Sequence, residues 1–182
     1  MPFAFTETSL PGVLLVEPRV FRDDRGYFLE SYKVSEFEAA GIGERFVQDN
    51  HSRSDRGVLR GMHYQLPPYA QGKLVRVISG SVLDVAIDLR RSSPNFGQSF
   101  ACELSGENHR MLYIPPGFGH AFLALEDGTH FVYKCTAEYN KESEGGVRWD
   151  DEELAIEWPD MKMIVSEKDA ILPPLKEARL FE

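Results

Sequence analysis

The chain has 182 residues, 42% hydrophobic and 12% aromatic, which suits a single domain with a substantial core, 1–182, and excludes a disordered chain. Its net charge of −9 excludes broad, non-specific nucleic-acid binding, which needs a basic surface. No apolar run nears the ~20 residues that span a bilayer, and no basic stretch precedes an apolar one at the start, so neither a membrane partner nor a signal peptide is expected and the cytoplasm is the expected compartment.

Short apolar runs broken by Gly, Pro and Asn dominate, and their spacing predicts an antiparallel all-β sandwich or barrel. Strands are expected over 12–16, 27–32, 46–50, 58–66, 73–79, 82–89, 99–104, 120–125 and 131–137. Asp23-Asp24-Arg25-Gly26 reads as a loop entering a strand. Ser35 to Ala40 predicts a short helix ended by Gly41, and Ser79-Gly80-Ser81 a tight hairpin. In the strand that follows, Leu83, Val85, Ile87 and Leu89 share one face, and Asp84 and Asp88 share the other with Val82 and Ala86. Short helices are expected over 150–156 and 166–170, and Pro173-Pro174 should stop the latter. Cys102 and Cys135 lack CxxC spacing and sit in apolar runs, so both read as buried free thiols.

The chemistry concentrates in Gly57-Val58-Leu59-Arg60-Gly61-Met62-His63-Tyr64-Gln65 and the following Gln71-Gly72-Lys73. A lone histidine in a strand reads as a core residue bonded to backbone. Arg60, Gln65 and Lys73, however, are an odd set to bury without a ligand. A base beside phosphate-sized positive charge suits proton chemistry on an anionic substrate. Strand parity sends Arg60 and His63 to opposite faces, so an irregularity is expected at Gly61 that turns both toward one cavity.

Pro115-Pro116-Gly117-Phe118-Gly119-His120 contains P-x-G-x-x-H and resembles the second motif of the cupin superfamily, a double-sheet jelly roll. Metal-binding members carry an H-x-H pair in the first motif. Here that region reads His63-Tyr64-Gln65, so a metal is not expected, although His51 and His120 remain alternative partners for His63.

The blocks at 21–30 (FRDDRGYFLE), 46–52 (FVQDNHS), 57–65 (GVLRGMHYQ), 70–75 (AQGKLV), 114–122 (IPPGFGHAF), 131–134 (FVYK), 157–159 and 166–170 (SEKDA) resemble, in order, the dTDP-4-dehydrorhamnose 3,5-epimerase family. The resemblance implies a cupin-type jelly roll with short peripheral helices. It also implies a homodimer with no cofactor and no metal, acting on a dTDP-linked 4-keto-6-deoxyhexose. His63 matches the family's base, Tyr133 its proton donor and Asp169 the carboxylate paired with the base. Arg25, Glu30, Gln48, Asn50, Arg60, Lys73, His120, Glu144 and Lys168 match positions that contact substrate, and Tyr139 the aromatic that stacks on thymine. Contacts from the Arg25 to Glu30 loop are expected across the dimer.

The implied reaction fits these residue types. A 4-keto group acidifies the hydrogens on C3 and C5. A base on one face makes an enolate, and an acid on the other face returns a proton and inverts the centre. Lys73 is the candidate to stabilise the oxyanion. Competing readings are a single-centre epimerase of a related keto-sugar, a non-catalytic nucleotide-sugar binder and a metal-dependent cupin.

Overall fold

Alternating apolar residues build two antiparallel sheets that face one another, seen in a computed structural model that describes residues 2–182. The first sheet takes β1 (Phe3–Glu7), β2 (Leu14–Pro18), β5 (Gln48–Ser54), β7 (Lys73–Ser79), β10 (Met111–Ile114) and β12 (Thr129–Cys135), ordered β1-β2-β10-β7-β12-β5. The second takes β6 (Val58–Gln65), β8 (Ser81–Asp88), β9 (Ser99–Ser105), β11 (Phe118–Ala124) and β13 (Glu144–Gly146), ordered β13-β6-β11-β8-β9, with β14 (Ile164–Val165) parallel to β6. β3 (Val20–Asp23) and β4 (Gly26–Leu29) form a separate hairpin. The helices are α1 (Val34–Ala39) and α2 (Glu167–Ala170). This is the expected double-sheet jelly roll with short peripheral helices.

The sheets enclose Val75, Val77, Val82, Leu104, Phe122 and Phe131, among others. Burial of such residues, at roughly 25 cal/mol per Å² of apolar surface, is what drives the sheets together. The strand β8 divides as expected: Val82 and Ala86 face this core, while Val85, Ile87 and Leu89 face outward. That outer face is covered by Val147, Leu154, Leu175, Ala178, Leu180 and Phe181 from the C-terminal segment. The central strands β8 and β11 of the second sheet are therefore buried on both faces and cannot shift without exposing apolar surface.

Several expected elements differ. β1, β3, β10, β13 and β14 are short strands that periodicity did not resolve, and β5 and β12 lie further along and further back, respectively, than expected. Asp23 to Gly26 turns the chain into a strand as expected, β4, which also pairs with β3. Ser79-Gly80-Ser81, expected as a hairpin, is instead a corner between the sheets, because β7 pairs with β10 and β12 while β8 pairs with β9 and β11. The helix expected over 150–156 does not form. Asp151 there accepts N–H bonds from Glu153 (2.9 Å) and Leu175 (2.8 Å), a local alternative that competes with helix and ties the segment to the tail.

The irregularity at Gly61 is present. His63 pairs with His120 and Arg60 with Phe122, so β6 carries one residue more than β11 across this interval, a bulge. Gly61 has φ +128°, and a Cβ there would stand 2.7 Å from the His120 carbonyl and overlap Ala121. Only glycine fits this position, and the extra residue brings Arg60 and His63 to one cavity.

Candidate active site

Toward one end of the sandwich the interior turns polar. Two cavities of about 370 Å³ each share Asn50, His63, Lys73 and Tyr133 as walls. Asn50, Lys73 and Tyr133 come from the first sheet, where Tyr133 pairs with Asn50 on one side and Val75 on the other. His63 and His120 come from the second sheet and are cross-strand partners.

His63 Nε2 lies 2.7 Å from Asp169 Oδ1. Asp169 reaches it from α2, whose N-cap Ser166 accepts the Asp169 N–H at 3.1 Å. The other Asp169 oxygen faces the Gly61 N–H at 3.4 Å. Burial pushes the Asp169 carboxyl up, but the His63 ring, Gly61 and Ser166 together hold it below the usual carboxylate range. An ionised Asp169 favours the tautomer with its proton on Nε2 and leaves Nδ1 as the accepting nitrogen.

A second pair lies deeper. His120 Nε2 sits 2.9 Å from Asp84 Oδ2, with both side chains nearly enclosed, at 8% and 0% exposure. Burial pulls the His120 pKa down despite Asp84, so the ring is neutral at pH 7. Asp84 Oδ1 has no hydrogen-bond partner. Lys73, also buried, lies within electrostatic reach of Asp84, and its ammonium contacts the His63 carbonyl at 3.4 Å. Burial lowers the Lys73 pKa, opposed by Cys135, Asp84 and Glu144. An amine held this way is a strong hydrogen-bond donor toward any oxygen entering the cavity.

Tyr133 is raised above the ordinary phenol value by burial, so it remains protonated at neutral pH. Arg60 lines the first cavity, with its Nε donating to Ser54 at 3.2 Å. Gln48, Tyr139 and Glu144 line the second. At its rim Glu144 accepts from Lys168 (2.5 Å) and from the Tyr139 hydroxyl (3.1 Å).

Eight of the expected substrate contacts, all but Arg25 and Glu30, thus surround the two cavities. Arg25 stands at the tip of the β3–β4 hairpin, its side chain 90% exposed and paired with Asp23. Glu30 lines a surface groove with Phe21 and Phe28. The hairpin pairs with neither sheet, which is why one chain leaves these two away from the site. Gln65 lines the second cavity beside Lys73, and its amide bonds the backbone of the neighbouring loops at Tyr69, Glu138 and Asn140. His51 points out of the sandwich and meets His130 at 2.9 Å, and among the described residues no three His, Cys, Asp or Glu side chains are grouped to hold a metal. Asp84 and Ser166 are site residues that sequence reasoning did not single out. A carboxylate sharing a strand face with Val82 and Ala86 was the available signal for Asp84.

Residues 7–177 match the family model described as dTDP-4-dehydrorhamnose 3,5-epimerase. A protein of that name from Pseudomonas aeruginosa is 54% identical over 166 residues, covering 90% of this chain and 91% of its own. The crystal structure of dTDP-6-deoxy-D-glucose-3,5-epimerase from Legionella pneumophila, in complex with dTDP-4-keto-L-rhamnose, is 45% identical with a TM-score of 0.93, covering 96% of this chain and 94% of that one. A 3′-monoepimerase from Streptomyces bikiniensis, in complex with dTDP-quinovose, is 34% identical with a TM-score of 0.88, covering 93% and 86%.

Proposed function

The chain belongs to the dTDP-4-dehydrorhamnose 3,5-epimerase family, and from that premise we propose how its side chains divide the work. The protein is an isomerase that epimerises dTDP-4-dehydro-6-deoxy-D-glucose at C3 and C5 to dTDP-4-dehydro-L-rhamnose, in dTDP-L-rhamnose biosynthesis. His63 Nδ1 removes the proton from the carbon beside the ketone. Asp169 orients the ring and stabilises the imidazolium that results. The electron pair moves onto the C4 oxygen, where Lys73 meets the developing charge. Tyr133 then protonates the carbon from the opposite face, and the C4 ketone re-forms with that carbon inverted. Once solvent has taken the proton from His63 and returned one to Tyr133, a second round acts on the other flanking carbon. Each round removes one proton and returns one, so electrons balance without a redox cofactor.

One observation carries this reading: His63 and Tyr133 line the same cavity from different sheets, with His63 paired to a buried carboxylate at 2.7 Å. A base and an acid on facing walls are what inversion requires. His120, on the same cavity, serves as a neutral hydrogen-bond partner to the sugar. Arg60 and Lys168 serve the diphosphate, since a guanidinium binds it bidentately. Gln48, Asn50 and Glu144 contact the nucleotide end, and Tyr139 stacks on thymine. The test is proton NMR of the substrate with enzyme in deuterated water. Deuterium should enter at both C3 and C5 with formation of the L-lyxo product; exchange confined to one carbon would sink the two-centre mechanism.

The working unit is a homodimer in which the β3–β4 hairpin of a second copy supplies Arg25 and Glu30. Its support is that the hairpin pairs with neither sheet and exposes Phe21, Tyr27 and Phe28 by 47%, 52% and 64%. Light scattering should give twice the chain mass, and a fully active monomer overturns this arrangement. Residues 1–182 act as one domain, and the two free cysteines suit a reducing cytoplasm.

A further inference from the structure

We infer that Gln65 is a positioning residue for the nucleobase: its amide clamps the backbone on both sides of Tyr139. The inference rests on the reading of Tyr139 as the thymine platform. That ring is 56% exposed, so core packing cannot fix where it stands. The backbone beneath it must.

Gln65 ends β6 and is only 4% exposed. Its Oε1 accepts the N–H of Asn140 at 2.7 Å, and its Nε2 donates to the carbonyl of Glu138 at 3.2 Å. The same Nε2 donates to the Tyr69 carbonyl at 2.7 Å, which fixes the amide plane. Both neighbours of Tyr139 in the chain are therefore held by one planar group. Two more glutamines continue the pattern. Gln71 Nε2 donates to the Ala137 carbonyl at 2.7 Å, and Gln48 Oε1 accepts the Tyr139 N–H at 2.8 Å. Positions 137–140 are each gripped by a glutamine amide from outside the loop. Downstream, the Asn140 side chain accepts the Ser143 N–H and caps the short turn that delivers Glu144, the partner of the Tyr139 hydroxyl.

A loop held in its bound shape is not ordered at the ligand's expense, and that saving appears as affinity. A buried amide that only satisfied backbone groups would contribute to stability and leave affinity alone. The two roles separate in kinetics.

Gln65→Met keeps the length of the side chain and removes the amide. In the full chain, KM for the dTDP-sugar and Kd for dTDP should both rise about tenfold, with kcat held within about threefold. In a Tyr139→Ala background the same substitution should add less than about twofold, because the ring to be positioned is gone. A Gln65→Met enzyme with unmoved KM and Kd, beside a Tyr139→Ala enzyme whose KM rises, overturns the clamp and leaves the platform. An unmoved KM in Tyr139→Ala overturns the platform and the clamp with it. Should Gln65→Met fail to fold, Gln71→Met cuts only the grip on Ala137. It should raise KM about threefold, and an unmoved KM there counts against the clamp.

Discussion

His63→Ala is expected to abolish turnover and, with it, exchange of substrate hydrogens at both C3 and C5. General-base catalysis is worth about 10²–10⁴-fold in rate, and here one imidazole serves both centres, so both products vanish together. The fold should survive the change. The His63 side chain is 32% exposed and belongs to none of the three apolar clusters. Asp169 keeps its contact with the Gly61 N–H, and Ser166 still caps α2. Calorimetry should therefore show dTDP binding within about threefold of the unmodified protein, because the diphosphate and base contacts lie on other side chains. Loss of kcat with retained binding marks a group that acts on the reacting atoms. Persistent deuterium incorporation in the variant would remove His63 from the role of base and turn attention to His120, the other imidazole on the same cavity.

The sequence made the sandwich legible because its longest strands alternate cleanly. The strand β8 announces both of its faces, and the fold buries both as the pattern requires. The bulge was legible for a similar reason. Arg60 and His63 have the wrong parity to share a wall, and Gly61 is where the chain can take an extra residue. What escaped was what depends on contacts distant in sequence. The strand β13 has the sequence Glu-Gly-Gly, with no apolar pattern, and exists because its backbone completes the edge beside β6. Segment 150–156 has helical spacing, but Asp151 is committed to the N–H of Leu175, which no local pattern reveals. Within the site, charge and residue type pointed to His63 and Lys73, and the family resemblance supplied Tyr133 and Asp169. Burial marked Gln65 as part of the site but not its hydrogen-bond partners, since a buried amide on a cavity wall can hold a loop as well as face a ligand.

Tyr133→Phe should separate the two halves of the reaction. The substitution removes one hydroxyl and keeps the ring, which packs 5.9 Å from Phe131 between the sheets, so folding and dTDP affinity should change little. With His63 and Asp169 intact, the proton beside the ketone still leaves, and the enolate still forms against Lys73. No acid then stands on the far face. The enolate is reprotonated by the imidazolium from the side it left, and configuration is retained. His63 is partly exposed, so its proton exchanges with solvent between events. The recovered starting sugar should therefore carry deuterium without inversion, while product formation falls by about 10²–10⁴-fold, the worth of a positioned acid. The His63→Ala enzyme gives neither signal, so the pair of variants assigns base and acid independently. In the unmodified protein, burial holds the Tyr133 hydroxyl above the ordinary phenol value. Its loss as an acid should then limit the rate only in strongly alkaline solution, with no descending limb at neutral pH. Inverted product from Tyr133→Phe at nearly the original rate would mean that water or another side chain protonates the enolate. The facing-wall geometry of His63 and Tyr133 would then serve substrate fit instead of proton delivery.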